Sequence, residues 1–278
     1  MLRKLLSSLL ALSVCVTLGA QARIYTPKAR LADFYSLTTV MVLPGDPFVD
    51  ALMLEEAASR WRVSPYEFCT QEEYSTLCKD ASLYFLRVLY RDSDPGMAFL
   101  CLSKGGRTDK TTALDSFFDV VMLPFDHDDF SSGRAATYFG ALVDFVQLYT
   151  EDARISDSNS LLGLSFYNKN LLGRLKAPLY IASGDIMTDV SVPSGVVVKS
   201  QDSVDAIFEE EEQQDVLVGV VFCSKYPGRK AKSHQMVISS LTHELLFYSV
   251  HPYETYSQKG FSARDMKTLS KYLENADR

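Results

Sequence analysis

Histidine and tryptophan are scarce in this chain, with four histidines and one tryptophan among 278 residues. No two histidines stand four residues apart, so the helical H-E-x-x-H pair of a zinc protease is missing. The nearest approach is LTHELLF, Leu241 to Phe247, where His243 and Glu244 open the motif and Phe247 occupies the second ligand position. The spacing G-x-x-x-x-G-K-[ST] is also missing. Lys104 to Thr112 (KGGRTDKTT) has the residue types of a phosphate cradle but not the spacing that aims backbone N–H groups at phosphate, and it reads as an exposed loop. Gly163 to Tyr167 (GLSFY) lacks the second glycine of a nucleophile elbow, so a serine hydrolase would need a triad dispersed along the chain. Basic residues are outnumbered, 28 to 35. That balance, with no basic cluster, excludes the electrostatic footprint of a nucleic-acid binder.

Long apolar runs are confined to the start of the chain. Arg3 and Lys4 lead an apolar stretch from Leu5 to Ala20, and Ala20-Gln21-Ala22 supplies the small residues of a cleavage site. This stretch is short for a membrane span, which needs about 20 apolar residues. Residues 1–22 therefore read as an export signal, with a mature chain from Arg23 that carries no integral membrane segment and is periplasmic or secreted. Lipidation at Cys15 is the less favoured alternative, because Val14 stands where a small residue belongs. Loss of Arg3 and Lys4 leaves 26 basic residues against 35 acidic ones.

The remainder has the patterning of an α/β (or α+β) fold with mixed sheets and antiparallel hairpins. Thr38 to Leu43 (TTVMVL) predicts a strand, and the apolar spacing of Phe48, Ala51, Leu52, Leu54 and Ala58 predicts a helix after it. Arg62 to Phe68 is extended. Thr70 then caps a short helix, with Glu73 placed to complete a capping box. SLYFLRVLY and MAFLCLS form a hairpin about a turn at Asp92 to Gly96. In the second half, Gly195 to Lys199, a helix capped by Ser200 or Asp202, the strand DVLVGVVFC, and the paired strands MVIS and LLFYSV repeat this order about 130 residues later. The chain thus divides into two related strand-helix-hairpin units, residues 23–155 and 160–278, joined by the linker-like Ser156 to Ser160 (SDSNS). The helix that follows Thr38 to Leu43 has no counterpart after Leu179 to Ile186. GRAATYFGALVDFVQLY is apolar on most faces and predicts a buried helix, and FSARDMKTLSKYL predicts an amphipathic one capped by Ser262.

This patterning places His243 in an exposed turn between two strands, where its removal would cost nothing and hold no metal; His251, followed by Pro252, lies too far along to serve as its partner. Asp126 to Asp129 (DHDD) has the carboxylates of a cation loop, but with Asp128 as first position, Phe130 and Phe139 fall where oxygen ligands belong, although Gly133 falls correctly. These acids instead precede a helix and complement its positive N-terminus. Glu209 to Glu212, with Asp202, Asp205 and Asp215 nearby, is the strongest charge feature. It reads as a solvated helix end or as a docking face for a basic partner. Four cysteines remain after export. A helix of about 1.5 Å rise per residue separates Cys69 from Cys78 by roughly 12 Å, beyond disulfide reach, and Cys101 and Cys223 read as buried thiols.

QARIYTPKARLADF and RWRVSPYEFCTQEEY, following an export signal, resemble exported proteins of Bacteroidales that have no assigned activity. The resemblance implies no catalytic, cofactor-binding or metal residues. The element order also resembles the α/β domains of envelope assembly proteins such as the curli secretion lipoprotein family, a likeness of fold alone. The expectation is an exported cell-envelope protein that acts as a binding or interaction module on a protein or small-ligand partner, without cofactor. The alternative is an exported hydrolase, which a cleft joining a histidine with a nucleophile or carboxylate would favour.

Overall fold

The computed structural model describes residues 31–106, 119–155, 163–173, 177–210 and 215–274. It contains two five-stranded sheets. Strands β1 (Thr38–Leu43), β2 (Tyr66–Thr70), β3 (Leu83–Arg91), β4 (Asp94–Lys104) and β5 (Asp119–His127) form the first, in the order β2-β1-β3-β4-β5. Strands β6 (Leu179–Ala182), β7 (Val196–Lys199), β8 (Leu217–Cys223), β9 (Lys232–Ser239) and β10 (Leu245–Pro252) form the second, in the order β7-β6-β8-β9-β10. The two orders are the same. In each sheet the first strand runs parallel to both neighbours, with Val40 opposite Glu67 and Phe85, and Ile181 opposite Val198 and Gly219. The last three strands of each sheet, β3-β4-β5 and β8-β9-β10, form an antiparallel meander. The fold is therefore α/β with mixed sheets, built from two similar units.

Local chemistry explains the elements. Pro44-Gly45 closes β1, and Asp46 then caps helix α1 (47–60) by accepting from Phe48 N and Val49 N, with Pro47 at the first helical position, where its missing N–H costs nothing. The middle of α1, Leu52–Ala57, is a π-helical segment. At the start of α2 (Gln71–Leu77), Thr70 and Glu73 form the predicted capping box. Helix α4 (Gln201–Glu209) occupies the same place in the second unit and is capped by Ser200. After β6 only a short 3-10 turn, Ser183–Asp185, stands where the first unit has α1, as the sequence pattern implies.

The β3–β4 turn differs from the expected Asp92 to Gly96. Strand β4 already begins at Asp94, and pairing skips from Tyr90–Ala98 to Arg91–Asp94, so residues 95–97 bulge while Gly96 adopts φ +80°. The glycine serves a bulge instead of the turn apex. Helix α4 ends at Glu209 with Glu210 as its C-cap, so the acidic run starts at a helix end; Glu211 and Glu212 lie outside the described residues. The boundary segment at 156–160 and most of the KGGRTDKTT loop lie outside them as well.

Helix α3 (Arg134–Ile155) is the buried helix expected from its composition. It shares one core with both units: Phe99, Leu123 and Phe139 from the first half pack in the same cluster as Val218, Val220, Phe222 and Met236 from the second. Strand β8 is buried along its whole length, so it reads as a continuous apolar run. Its alternate residues Leu217, Val221 and Cys223 face the opposite cluster, where Phe261, Met266 and Leu269 from the segment leading into and along α5 (Ala263–Glu274) cover the sheet. A third cluster of Val40, Val42, Phe85 and Cys69 sits beneath Tyr74 of α2.

Candidate functional site

A cleft of about 670 Å³ opens where α1, α3, the end of α4 and the β9–β10 turn meet. Asp144 organises its wall. Between Ala135 and Thr150 it is the one charged residue of α3. Its Oδ2 accepts from Arg60 Nη1 at 3.0 Å and from His243 Nδ1 at 2.7 Å, while Oδ1 accepts from Gln147 Nε2 at 3.3 Å. A carboxylate only accepts, so His243 carries its Nδ1 proton toward Asp144. Gln147 also accepts from Arg62 N at 2.7 Å and donates to Arg60 O at 3.2 Å, which ties the end of α1 to α3.

Arg60 reaches back to Glu56 at 3.1 Å. Burial alone would lower the Arg60 guanidinium, yet its contacts with Glu56 and Asp144 raise it above the ordinary arginine value. A Cβ at position 140 would stand 2.5 Å from Arg60 Nε and 3.0 Å from Glu56 Oε2, so a larger residue there must displace the Arg60 side chain. Glu56 lies in the π-helical segment of α1, a kind of irregularity that recurs at functional sites. On the opposite wall Thr137 Oγ1 donates to Glu209 Oε1 at 2.7 Å, and Tyr138 OH donates to Asp205 Oδ1 at 2.7 Å. Ala136, Gly140, Ala141, Phe208 and Leu241 supply apolar lining, and Glu209 and Glu210 lie at its acidic edge.

His243 belongs to the turn the sequence predicts, but it is not an exposed turn residue. Its side chain is 20% exposed, its ring stacks on Phe208 at 5.9 Å between centroids, and its backbone adopts φ +55°. A left-handed conformation at a residue other than glycine is uncommon and clusters at functional sites. The turn is pinned on its other side by Asp215, whose Oδ1 accepts from Ser239 Oγ at 2.6 Å.

The other three histidines stand elsewhere. His251 Nε2 lies 2.7 Å from Asp265 Oδ2 and 3.5 Å from Ser249 Oγ. Serine, histidine and aspartate are the residues of a triad, but a triad needs its serine and aspartate on opposite ring nitrogens, and here both approach the same one. His234 is fully buried between the sheets, with Nδ1 2.9 Å from Tyr248 Oη and Nε2 3.3 Å from Asp94 Oδ2. His127 Nδ1 lies 3.2 Å from Ser131 Oγ in the loop before α3.

Of the acids in that loop, Asp126 serves the start of α3. Asp126 Oδ2 accepts from Ala135 N at 3.1 Å and Asp129 pairs with Lys225. Among the described residues no group of three or more His, Cys, Asp or Glu side chains converges to hold a metal ion. Gly163 to Tyr167 opens a 3-10 segment, Gly163–Gly173, so it does not form a strand-to-helix elbow. Cys69, Cys78, Cys101 and Cys223 are free thiols.

The residues that sequence reasoning missed are Asp144, Arg60 and Gln147. Asp144 carried a signal, since a lone carboxylate in an otherwise buried helix stretch requires a partner. Arg60 and Gln147 carried none, because their roles depend on how α1 crosses α3. Comparison with family models, with curated proteins and with solved structures finds no match for this chain.

Proposed function

We propose that this chain is an exported cell-envelope protein that works by binding, and that its cleft between α1, α3, α4 and the β9–β10 turn takes a basic segment of a partner protein. The observation that carries this reading is the charge of the cleft against its wiring. Glu56, Glu209 and Glu210 line the cleft against Arg60 as its one formal cation, and both Arg60 and His243 are already committed to Asp144. What remains available is an acidic edge above apolar lining. A lysine or arginine side chain suits that surface, since its stem covers apolar atoms while its head stays at the carboxylates. The acidic run at Glu209 and Glu210 then belongs to a docking face, the reading in which it serves a basic partner.

Export through residues 1–22 and a location in the periplasm or outside the cell are part of the same proposal. No helix among the described residues is long and apolar enough to cross a membrane, which accords with it.

The pairing of His243 with Asp144 in a cleft favours a second reading, a hydrolase in which the pair activates water. Arg60 on the same carboxylate oxygen opposes it, because a cation there weakens the support Asp144 gives to an imidazolium. Calorimetric titration with tetralysine amide separates the two. Binding that weakens at least tenfold in Glu209→Gln/Glu210→Gln, and that falls with added salt, is the expected result. No binding of tetralysine, together with hydrolysis of a generic ester, amide or phosphodiester that is lost in His243→Asn, would replace the binding reading with the hydrolase.

A further inference from the structure

A second cavity, about 260 Å³, shares no lining residue with the cleft. It lies between the loop joining β5 to α3, the first turn of α4, the end of β8 and Lys259. Its acceptors are spent. Asp126 receives His127 N and Ser132 Oγ on one oxygen and Ala135 N on the other. Arg134, itself buried, is held by Val221 O and by Asp185 Oδ2. Burial pushes the Asp185 carboxyl up while the guanidinium 2.6 Å away opposes it.

The donors are not spent. Lys259 is half-buried and, among the described residues, its ammonium has no ion pair or hydrogen bond. The amide of Gln201, at the first position of α4, likewise has no side-chain partner among them. In the tautomer whose Nδ1 accepts from Ser131 Oγ, His127 offers Nε2–H as a donor. Asp185 acts on Lys259 through space, without a hydrogen bond, so the donors of the ammonium stay open to a ligand. We infer that this cavity is a binding site for a small oxyanion, a phosphate or carboxylate group, anchored by Lys259 with Gln201 and His127 as further donors. The volume falls just below the range of about 300–1,000 Å³ typical of small-molecule pockets, so the site fits a single anionic group. Burial, helped by the charges of Lys259 and Lys225, lowers the His127 imidazole below its ordinary value, which leaves it a neutral donor near neutral pH.

The test uses the purified full chain and two probes, sodium phosphate and sodium acetate, in separate calorimetric titrations. Saturable binding of either, weakened at least tenfold by Lys259→Met, several-fold by Gln201→Ala, and less than twofold by Lys225→Met, is the expected result. Phosphate alone or acetate alone identifies which oxyanion the site prefers. A measurement on the unaltered chain stands beside the variants. The bound anion is expected to slow acylation of Lys259 several-fold relative to Lys225, read by mass spectrometry. Absence of saturable binding by both anions, undiminished binding by Lys259→Met, or unprotected Lys259 at saturating anion would each overturn the inference.

Discussion

His243 and Arg60 meet on a single oxygen, Asp144 Oδ2, at 2.7 Å and 3.0 Å, so a turn of the second unit and a helix of the first are fastened to the helix they share. The carboxylate is 25% exposed, which moderates the energy. Asp144→Ala is expected to destabilise the fold by about 1–2 kcal/mol, since the contacts are charge-assisted but partly solvated. His243→Asn keeps a residue that tolerates φ near +55° and removes the ring, and about 1 kcal/mol is expected for it. The double variant should cost at least ~0.5 kcal/mol less than the two singles added, because both delete the same contact. Urea midpoints measure all three. Strict additivity would mean that the contact contributes nothing, as the reading of His243 as an exposed turn residue implies.

The period of the apolar residues made most of the strands and helices legible, and short-range chemistry placed the caps at Thr70, Ser200 and Ser262. These signals depend on residues within four positions of one another. The bulge at residues 95–97 escaped because Asp-Pro-Gly suits a turn apex and a bulge equally, and only the register of β3 against β4 decides between them. The cleft escaped for a stronger reason. Asp144 lies 84 residues from Arg60 and 99 from His243, and no local pattern encodes a meeting between elements so distant.

Arg134 and Asp185 form a buried ion pair at 2.6 Å, with side chains 4% and 2% exposed. Removing one partner strands the other charge in the interior. Arg134→Ala and Asp185→Ala are each expected to cost about 3–5 kcal/mol, whereas Arg134→Met with Asp185→Leu should cost less than either single change. Chemical denaturation of the three variants provides the check. A double variant as damaged as the worse single would show that the pair contributes through its hydrogen bond to Val221 O and not through its charges.

Asp265 sets an acid limit on the second unit. Burial raises its carboxyl, but hydrogen bonds from His251 Nε2 and Ser262 outweigh that and bring it below its ordinary value of 3.8. A carboxyl lowered in the folded state adds stability that is fully present above 3.8 and is lost as the pH falls through its folded value. Asp265→Asn should therefore be less stable than the parent at pH 7, and the gap should narrow as the pH is lowered through the region below 3.8. Thermal melts at pH 7, 5 and 3 suffice. A gap that stays constant would assign the loss to packing or to the cap at Ser262.

Export predicts a defined mass. Cleavage after Ala22 leaves a chain beginning at Arg23, and intact-mass analysis of protein recovered from the envelope or medium is expected to show that species. A diacylglycerol adduct on Cys15 would place the protein on a membrane surface instead, and an uncleaved chain would remove the basis for the exported reading.

The thiols report on the core. Cys69 and Cys223 are buried, and burial raises both to about 11, so neither supplies much thiolate near neutral pH. Cys101 is buried in β4, with its Sγ 3.6 Å from Asp119 Oδ1. Cys78, the C-cap of α2, is half-buried and donates to Ser75 O at 3.5 Å, which leaves it the most accessible of the four. At pH 8 a thiol reagent is therefore expected to modify Cys78 first, with Cys69, Cys101 and Cys223 following only as fast as the fold opens. In denaturant without reductant the mature chain should titrate four groups. A count of two would reveal a disulfide, and a rapid native count of three or more would mean that the clusters beneath α2 and between the sheets open far more readily than their packing implies.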